Sequence, residues 1–192
     1  MMDDDLAAAS AAGMAPPTAE RFAAYLALLR RWNPAISVVA RRTLPVLWER
    51  HVLDSIQLLD LAPTTARDWV DLGSGGGFPG LAVAILARER RPSLRVALID
   101  ADRRKAAFLA EAARAAEVEV QIWASRIEEV PPLGADVVSA RALAPPDRLW
   151  PLAARHLGKG GTALLLGGAE AGGRLQGLDE SGLEVERLAS RT

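Results

Sequence analysis

Cysteine is absent from the chain and lysine nearly so. The first absence removes disulfide frameworks, thiolate zinc sites and thiol nucleophiles together, and makes a reducing, cytoplasmic setting the expectation. Only Lys105 and Lys159 accompany 21 arginines, which stand among many alanines. That bias reads as composition, so a single arginine carries little functional weight. No run reaches the ~18 consecutive apolar residues that a membrane span needs, so no membrane partner is expected. The start is acidic at Asp3, Asp4 and Asp5 and lacks the cationic opening of a secretory signal. An excess of charge is missing too: 23 Lys+Arg stand against 24 Asp+Glu, a formal charge of −1. Near-neutrality argues against indiscriminate binding to nucleic acid or anionic membrane, which draws on summed positive charge. What is present is a chain of 192 residues, 50% hydrophobic, long enough for one domain with its own core.

Residues 1–17 read as a flexible, weakly helical extension, and residues 18–65 as a helical cap. Phe22, Tyr25, Leu26 and Leu29 share one face of a helix predicted from Thr18 to Trp32 and ended by Asn33-Pro34. A short extended piece, Ile36 to Val39, follows. A second helix is predicted from Thr43 as N-cap, with Pro45 in its first turn, through Leu59. From residue 66 to 192 short apolar runs alternate with amphipathic stretches. Strands are predicted at Trp69–Leu72, Leu94–Asp100, Val118–Trp123, Ala135–Ala140 and Thr162–Leu166, and helices at Pro79–Arg91 and Asp102–Ala116. Buried strands alternating with helices indicate an α/β, doubly wound, mainly parallel sheet of Rossmann-like type.

The stretch Asp71-Leu72-Gly73-Ser74-Gly75-Gly76-Gly77-Phe78-Pro79-Gly80 lies where the first strand meets its helix, the switch point at which such sheets bind nucleotides. Glycines there let backbone approach a ligand closely, and the helix start offers unpaired N–H groups. Gly75-x-Gly77-x-x-Gly80 fits a dinucleotide fingerprint; Asp71-x-Gly73-x-Gly75-x-Gly77 fits the acidic-led loop of S-adenosylmethionine (SAM) methyltransferases. Asp100, closing the second strand, serves either, since a carboxylate there accepts ribose hydroxyls. Asp71 favours SAM, because a carboxylate suits a cationic amino acid end and sits poorly beside a pyrophosphate. The nicotinamide alternative also lacks a proton donor for hydride chemistry.

Arg31-Trp32-Asn33, Arg50-His51-Val52-Leu53-Asp54-Ser55, the glycine loop with Gly77-Phe78-Pro79-Gly80, Ser125-Arg126-Ile127-Glu128-Glu129 and Ser139-Ala140-Arg141-Ala142 follow one another in an order that resembles the RsmG (GidB) family. The resemblance covers roughly residues 20 to 166. It implies a SAM-dependent methyltransferase acting on N7 of guanine 527 in the 530 loop of bacterial 16S ribosomal RNA, with a small-subunit particle as the setting and a monomeric enzyme. Carried over by position, it implies cofactor contacts at Gly73, Phe78, Ile127, Glu128 and Arg141, to which the reading of the residues adds Gly75 and Asp100. Ile127 and Glu128 would hold the adenine; taken alone, Glu128-Glu129 reads equally as a solvated loop. Three departures stand out: Gly167-Gly168 where the family usually has Lys-Gly, Ser37 where it tends to have Asn, and a C-terminal stretch with one candidate strand, Leu183–Leu188, giving the expectation of a sheet without its last strand.

Guanine N7 already carries an in-plane lone pair, so no general base is expected and no catalytic side chain is assigned; Arg126 and Arg141 are candidates for orienting cofactor, base or RNA phosphate. No metal is expected: His51 and Asp54 share a helical face, but the only other histidine, His156, supplies no third ligand. Packing of His51 and Asp54 against the switch-point loops, with hydrogen bonds to backbone, is the preferred reading. The five tryptophans read as packing residues before stacking platforms. Six arginines (21, 30, 31, 41, 42 and 50) opposed only by Glu49, and the Arg103-Arg104-Lys105 cluster, read either as a solvated helix face or, as the resemblance implies, as a phosphate-contacting rim. A noncatalytic RNA-binding or assembly factor on the same scaffold is the alternative function.

Overall fold

A computed structural model of the chain describes residues 2–141 and 143–167. Ala142, Gly168, the candidate strand Leu183–Leu188 and the acidic stretch 169–192 lie outside the described residues. Among the described residues five strands, β1 (Asp68–Leu72), β2 (Arg95–Ile99), β3 (Gln121–Trp123), β4 (Ala135–Arg141) and β5 (Leu157–Leu166), form one sheet in the order β3-β2-β1-β4-β5. Every pairing is parallel, as near-continuous apolar strands require of a sheet covered on both faces. Strand order reverses between β1 and β4, which creates a crevice at their carboxyl ends.

Alternate strand residues serve two cores. Trp69, Val96, Leu98 and Val137 face α4 (Gly80–Arg90), α5 (Arg103–Ala115) and the cap, whereas Val70, Leu72, Ile99, Val138 and Ala140 face α6 (Pro146–His156). Leu81 to Ala87 of α4 are all buried, because the sheet covers one side of this helix and the cap the other. Asp102 caps α5, accepting the Arg104 amide on Oδ1 at 2.9 Å. Asp102→Ala is expected to lower stability, measured as a lowered urea midpoint with unchanged slope.

The N-terminal part differs from the sequence expectation in three ways. Residues expected as a flexible extension form α1 (Met2–Ala11), held on α2 (Pro16–Ile36) by the buried Ala9 and by a two-pronged Asp5–Arg30 ion pair. Next, α2 runs through Pro34 to Ile36. A proline this near the helix end forfeits only one amide bond, and the turn closes with the Ser37 amide on Asn33 O at 2.9 Å. Ser37 is left-handed there (φ 49, ψ 56), a conformation that asparagine tolerates better than serine.

Finally, the helix expected from Thr43 to Leu59 is a 3-10 segment (Arg41–Val46), a wide π turn (Trp48–Leu53) and α3 (Asp54–Leu61) in succession. Thr43 is therefore no N-cap; its hydroxyl donates back to Ala40 O at 2.8 Å. Two elements had no counterpart in the reading: α6, and a 3-10 turn at Ile127–Glu129. β3 is shorter than expected, because Glu117 turns the chain with a positive φ of 52° and pairing with β2 begins only at Gln121.

Candidate functional site

The loop between β1 and α4 is held chiefly by backbone. Ser74 N–H donates to Ile99 O at 3.0 Å and Gly77 N–H to Ser74 O at 2.7 Å. Gly75 N–H donates to Asp100 Oδ2 at 2.8 Å, and the Asp102 amide donates to Asp100 Oδ1 at 2.9 Å. Asp100 thus spans the ends of β1 and β2, with 8% of its surface exposed and a second lone pair left on each oxygen. Gly73, Gly75 and Gly77 have positive φ (66, 53 and 91°), which a glycine adopts without strain. A side chain at position 73 would meet the end of the Leu143 side chain at 2.6 Å, and one at 75 would meet open space beyond the Gly73 carbonyl.

Asp71 is completely enclosed at the end of β1. Ser139 Oγ donates to its Oδ1 at 2.6 Å, and Trp69 Nε1 donates in turn to Ser139 Oγ at 2.8 Å. Oδ2 lies against Gly80 without a hydrogen bond of good geometry. Burial pushes the carboxyl up to about 6, while the Ser139 and Ser74 hydroxyls, the Gly80 amide and Arg141 pull the other way. The sequence reading placed this carboxylate beside the loop in reach of a cation. Enclosure leaves it no direct contact with anything outside the protein.

Phe78 sits at the junction of loop and cap. His51 stacks on it with ring centroids 5.1 Å apart, Tyr25 lies 5.4 Å away at a tilt, and the Arg141 guanidinium lies 5.2 Å from the ring centroid. Arg141 reaches this position from the end of β4 and donates to Arg50 O at 3.5 Å. His51 exchanges a hydrogen bond with Thr43 Oγ1 at 2.9 Å. Burial, with Arg141 and Arg50 nearby, lowers its pKa to about 4, so the imidazole is neutral beside the guanidinium. Among the described residues no three His, Asp or Glu side chains converge as a metal site.

Ile127 and Glu128 stand on their own turn after β3, Ile127 half-buried and Glu128 exposed. Arg126 pairs with Glu128 at 3.5 Å, while Glu129 accepts from Ser125 Oγ at 2.7 Å, which stiffens the turn. The fully buried His156 of α6 donates through Nε2 to Ile127 O at 3.1 Å. Strand order therefore sets the predicted residues in one line: Ile127 and Glu128 after β3, Asp100 after β2, Gly73, Gly75 and Phe78 after β1, and Arg141 at the end of β4.

The arginine rim is reduced. Arg21 pairs with Glu117 and Arg31 with Glu111, both at 3.3 Å, and Arg30 is committed to Asp5. Arg41, Arg42, Arg50, Arg103 and Arg126 remain exposed. Tryptophans 48 and 69 are buried and Trp32 packs on Phe108, so these three belong to packing. Sequence reasoning missed Tyr25 as a member of the site. Its one available signal was that the chain's single tyrosine lies on the inward face of α2.

The GidB family, described as rRNA small subunit methyltransferase G, matches residues 18–184. Similar curated proteins include ribosomal RNA small subunit methyltransferase G of Rhodospirillum centenum, 49% identical over 184 residues, covering 95% of this chain and 83% of the relative. Its counterpart in Ruegeria sp. (strain TM1040) is 49% identical over 152 residues, 79% of this chain and 74% of the relative. Among solved structures, tRNA (m1A58) methyltransferase TrmI from Aquifex aeolicus superposes with a TM-score of 0.52 at 14% identity, over 68% of this chain and 52% of that one. The YcgJ protein from Bacillus gives 0.50 at 22% identity, over 60% and 50%. These two matches span about half of each solved chain and speak to the fold alone.

Proposed function

The chain belongs to the rRNA small subunit methyltransferase G family, and from that premise we propose that it transfers the methyl group of SAM to N7 of guanine 527 in the 530 loop of 16S ribosomal RNA. In this reading it works as a cytoplasmic monomer on a small-subunit particle, with residues 18–65 as cap and 66–192 as methyltransferase domain. The observation that carries the reading is the convergence of Gly73, Gly75, Phe78, Asp100 and Arg141 at the carboxyl edge of β1, β2 and β4.

The residues present suit the cofactor. Gly75 leaves the room a side chain would fill and Gly73 is bounded only by the Leu143 side chain, Asp100 keeps free lone pairs for ribose hydroxyls, and Ile127 with Glu128 offers an apolar surface and an acceptor for an adenine. Bound SAM supplies an electrophilic methyl group on a sulfonium. The N7 lone pair forms the new C–N bond as the C–S bond breaks with its electrons going to sulfur, so charge passes to the base and no proton moves. Catalysis then rests on alignment, for which intramolecular precedents give effective molarities on the order of 10⁵–10⁸ M. Phe78 walls the site, Arg141 orients what lies beside it, and exposed Arg41, Arg42, Arg50 and Arg103 are left to contact phosphates.

Incubation with methyl-labelled SAM and unmethylated small subunits or free 16S RNA tests this. One guanine should acquire label and become sensitive to borohydride reduction followed by aniline scission. RNA binding without label transfer would instead establish the noncatalytic alternative.

A further inference from the structure

The glycines of the loop divide by what they face, and only part of them face a ligand. A Cβ at Gly76 would come within 3.2 Å of Val38 O, and one at Gly77 within 2.8 Å of the Tyr25 hydroxyl and 2.9 Å of Leu81 Cβ. A Cβ at Gly80 would strike Asp71 Cβ and Leu98 Cδ2 at 2.5 Å. Of the loop glycines only Gly75 has room for a Cβ at ordinary contact distance, 3.7 Å from Gly73 O, while one at Gly73 would come within 2.6 Å of the Leu143 side chain. The middle of the loop is therefore shaped by contact with the cap.

Tyr25 makes that contact specific. It is fully buried on α2, its hydroxyl donates to the Gly76 carbonyl, and its ring packs on Phe78. The other loop bonds, from Ser74 to Ile99, Gly75 to Asp100 and Gly77 to Ser74, all arise within the sheet and its loops. Among the described residues, Tyr25 supplies the one side-chain hydrogen bond from the cap to the loop. We propose that Tyr25 is a positioning residue that sets the glycine loop in its binding conformation before the cofactor arrives. The proposal rests on the reading of this loop as a SAM site.

A run so rich in glycine has many conformations to lose on binding. Fixing it in advance from outside lowers the entropic cost that the ligand would otherwise bear. Burial raises the Tyr25 pKa well above 10, partly offset by Arg141 and reinforced by Asp71, so the phenol keeps the proton it donates. Phe78, gripped by the same ring, transmits the clamp to the face where Arg141 lies.

Tyr25→Phe removes the donor and keeps the ring. It is expected to raise the Kd for SAM about tenfold, with kcat and the KM for RNA within about twofold, because the loop is ordered equally well once SAM is bound. Hydrogen exchange at Gly77 should quicken about tenfold in the free variant while the amides of α5 hold their protection. Unchanged SAM affinity in a variant whose parent binds SAM would overturn the positioning role and leave the cofactor site standing. Absence of SAM binding by the parent would overturn both. Should the variant fail to fold, exchange in the ligand-free parent decides: protection at Gly77 matching that of α5 supports the clamp, and rapid exchange refutes it.

Discussion

Gly73→Val is expected to abolish measurable SAM binding while the chain stays folded. Position 73 has a φ of 66°, so a β-branched residue there costs about 1–2 kcal/mol in backbone strain. The new Cβ would approach Leu143 Cδ1 to 2.6 Å, but this is the far end of a flexible, partly exposed side chain that can swing away. For a chain of this length, the melting temperature should fall by roughly 2–4 °C per kcal/mol lost. In the proposed SAM site the valine methyl groups would also crowd the loop where the cofactor approaches its backbone. A loss of at least about 100-fold in affinity, near 2.7 kcal/mol, is expected by isothermal titration. Normal affinity in the folded variant would place the pocket elsewhere.

The asymmetry between position 73 and its neighbours shows how far the chain could be read in advance. Sheet, loop and crevice were legible because their signals are local: apolar runs of strand length, a proline at a helix start, glycines at one junction. Residues predicted to line the crevice lie along one edge of the sheet because parallel strands deliver their carboxyl ends there whatever their exact register. The cap was read less well. Its helix was ended too early at Pro34, since a proline forfeits little where a helix is about to stop, and the π turn holding His51 has no sequence period.

In the sequence Tyr25 is one more apolar residue on an inward face. What sets it apart is the Gly76 carbonyl, 51 residues away in sequence, which only the packed structure brings to its hydroxyl. Paired arginines followed the same rule. Arg21 and Arg31 look free in a run of basic residues, and their acids, Glu117 just after α5 and Glu111 on it, lie 96 and 80 residues away in sequence. Asp71 was read correctly as an acidic residue at the loop, but its complete burial could not be, because the Trp69–Ser139 chain that encloses it joins two strands 70 residues apart.

That burial yields the second large effect, a dependence of SAM affinity on pH below neutrality. In the folded protein the Asp71 carboxyl titrates at about 6 instead of 3.8. Between those values the folded state holds a proton that the unfolded state has released, so this group's contribution to stability falls as pH rises, by roughly 3 kcal/mol in total. His51 has the opposite sign: with its pKa lowered from 6.5 to about 4, stability is lost as pH falls through that range. The two oppose each other, and melting of the free protein masks both.

Ligand titration separates them. SAM carries net positive charge and favours the ionised carboxylate, whereas His51 stays neutral down to about 4 and contributes no slope above it. Lowering the pH from 7.5 to 5 leaves about a tenth of Asp71 ionised in the free protein, so the Kd should rise about tenfold. Asp71→Asn keeps an acceptor for Ser139 but has no charge to lose; it should bind SAM at least about tenfold more weakly at pH 7.5 and show a flat profile down to pH 5. A wild-type affinity that is constant over this range, or a variant that keeps the slope, would remove Asp71 from the electrostatics of the site and leave burial as its only role.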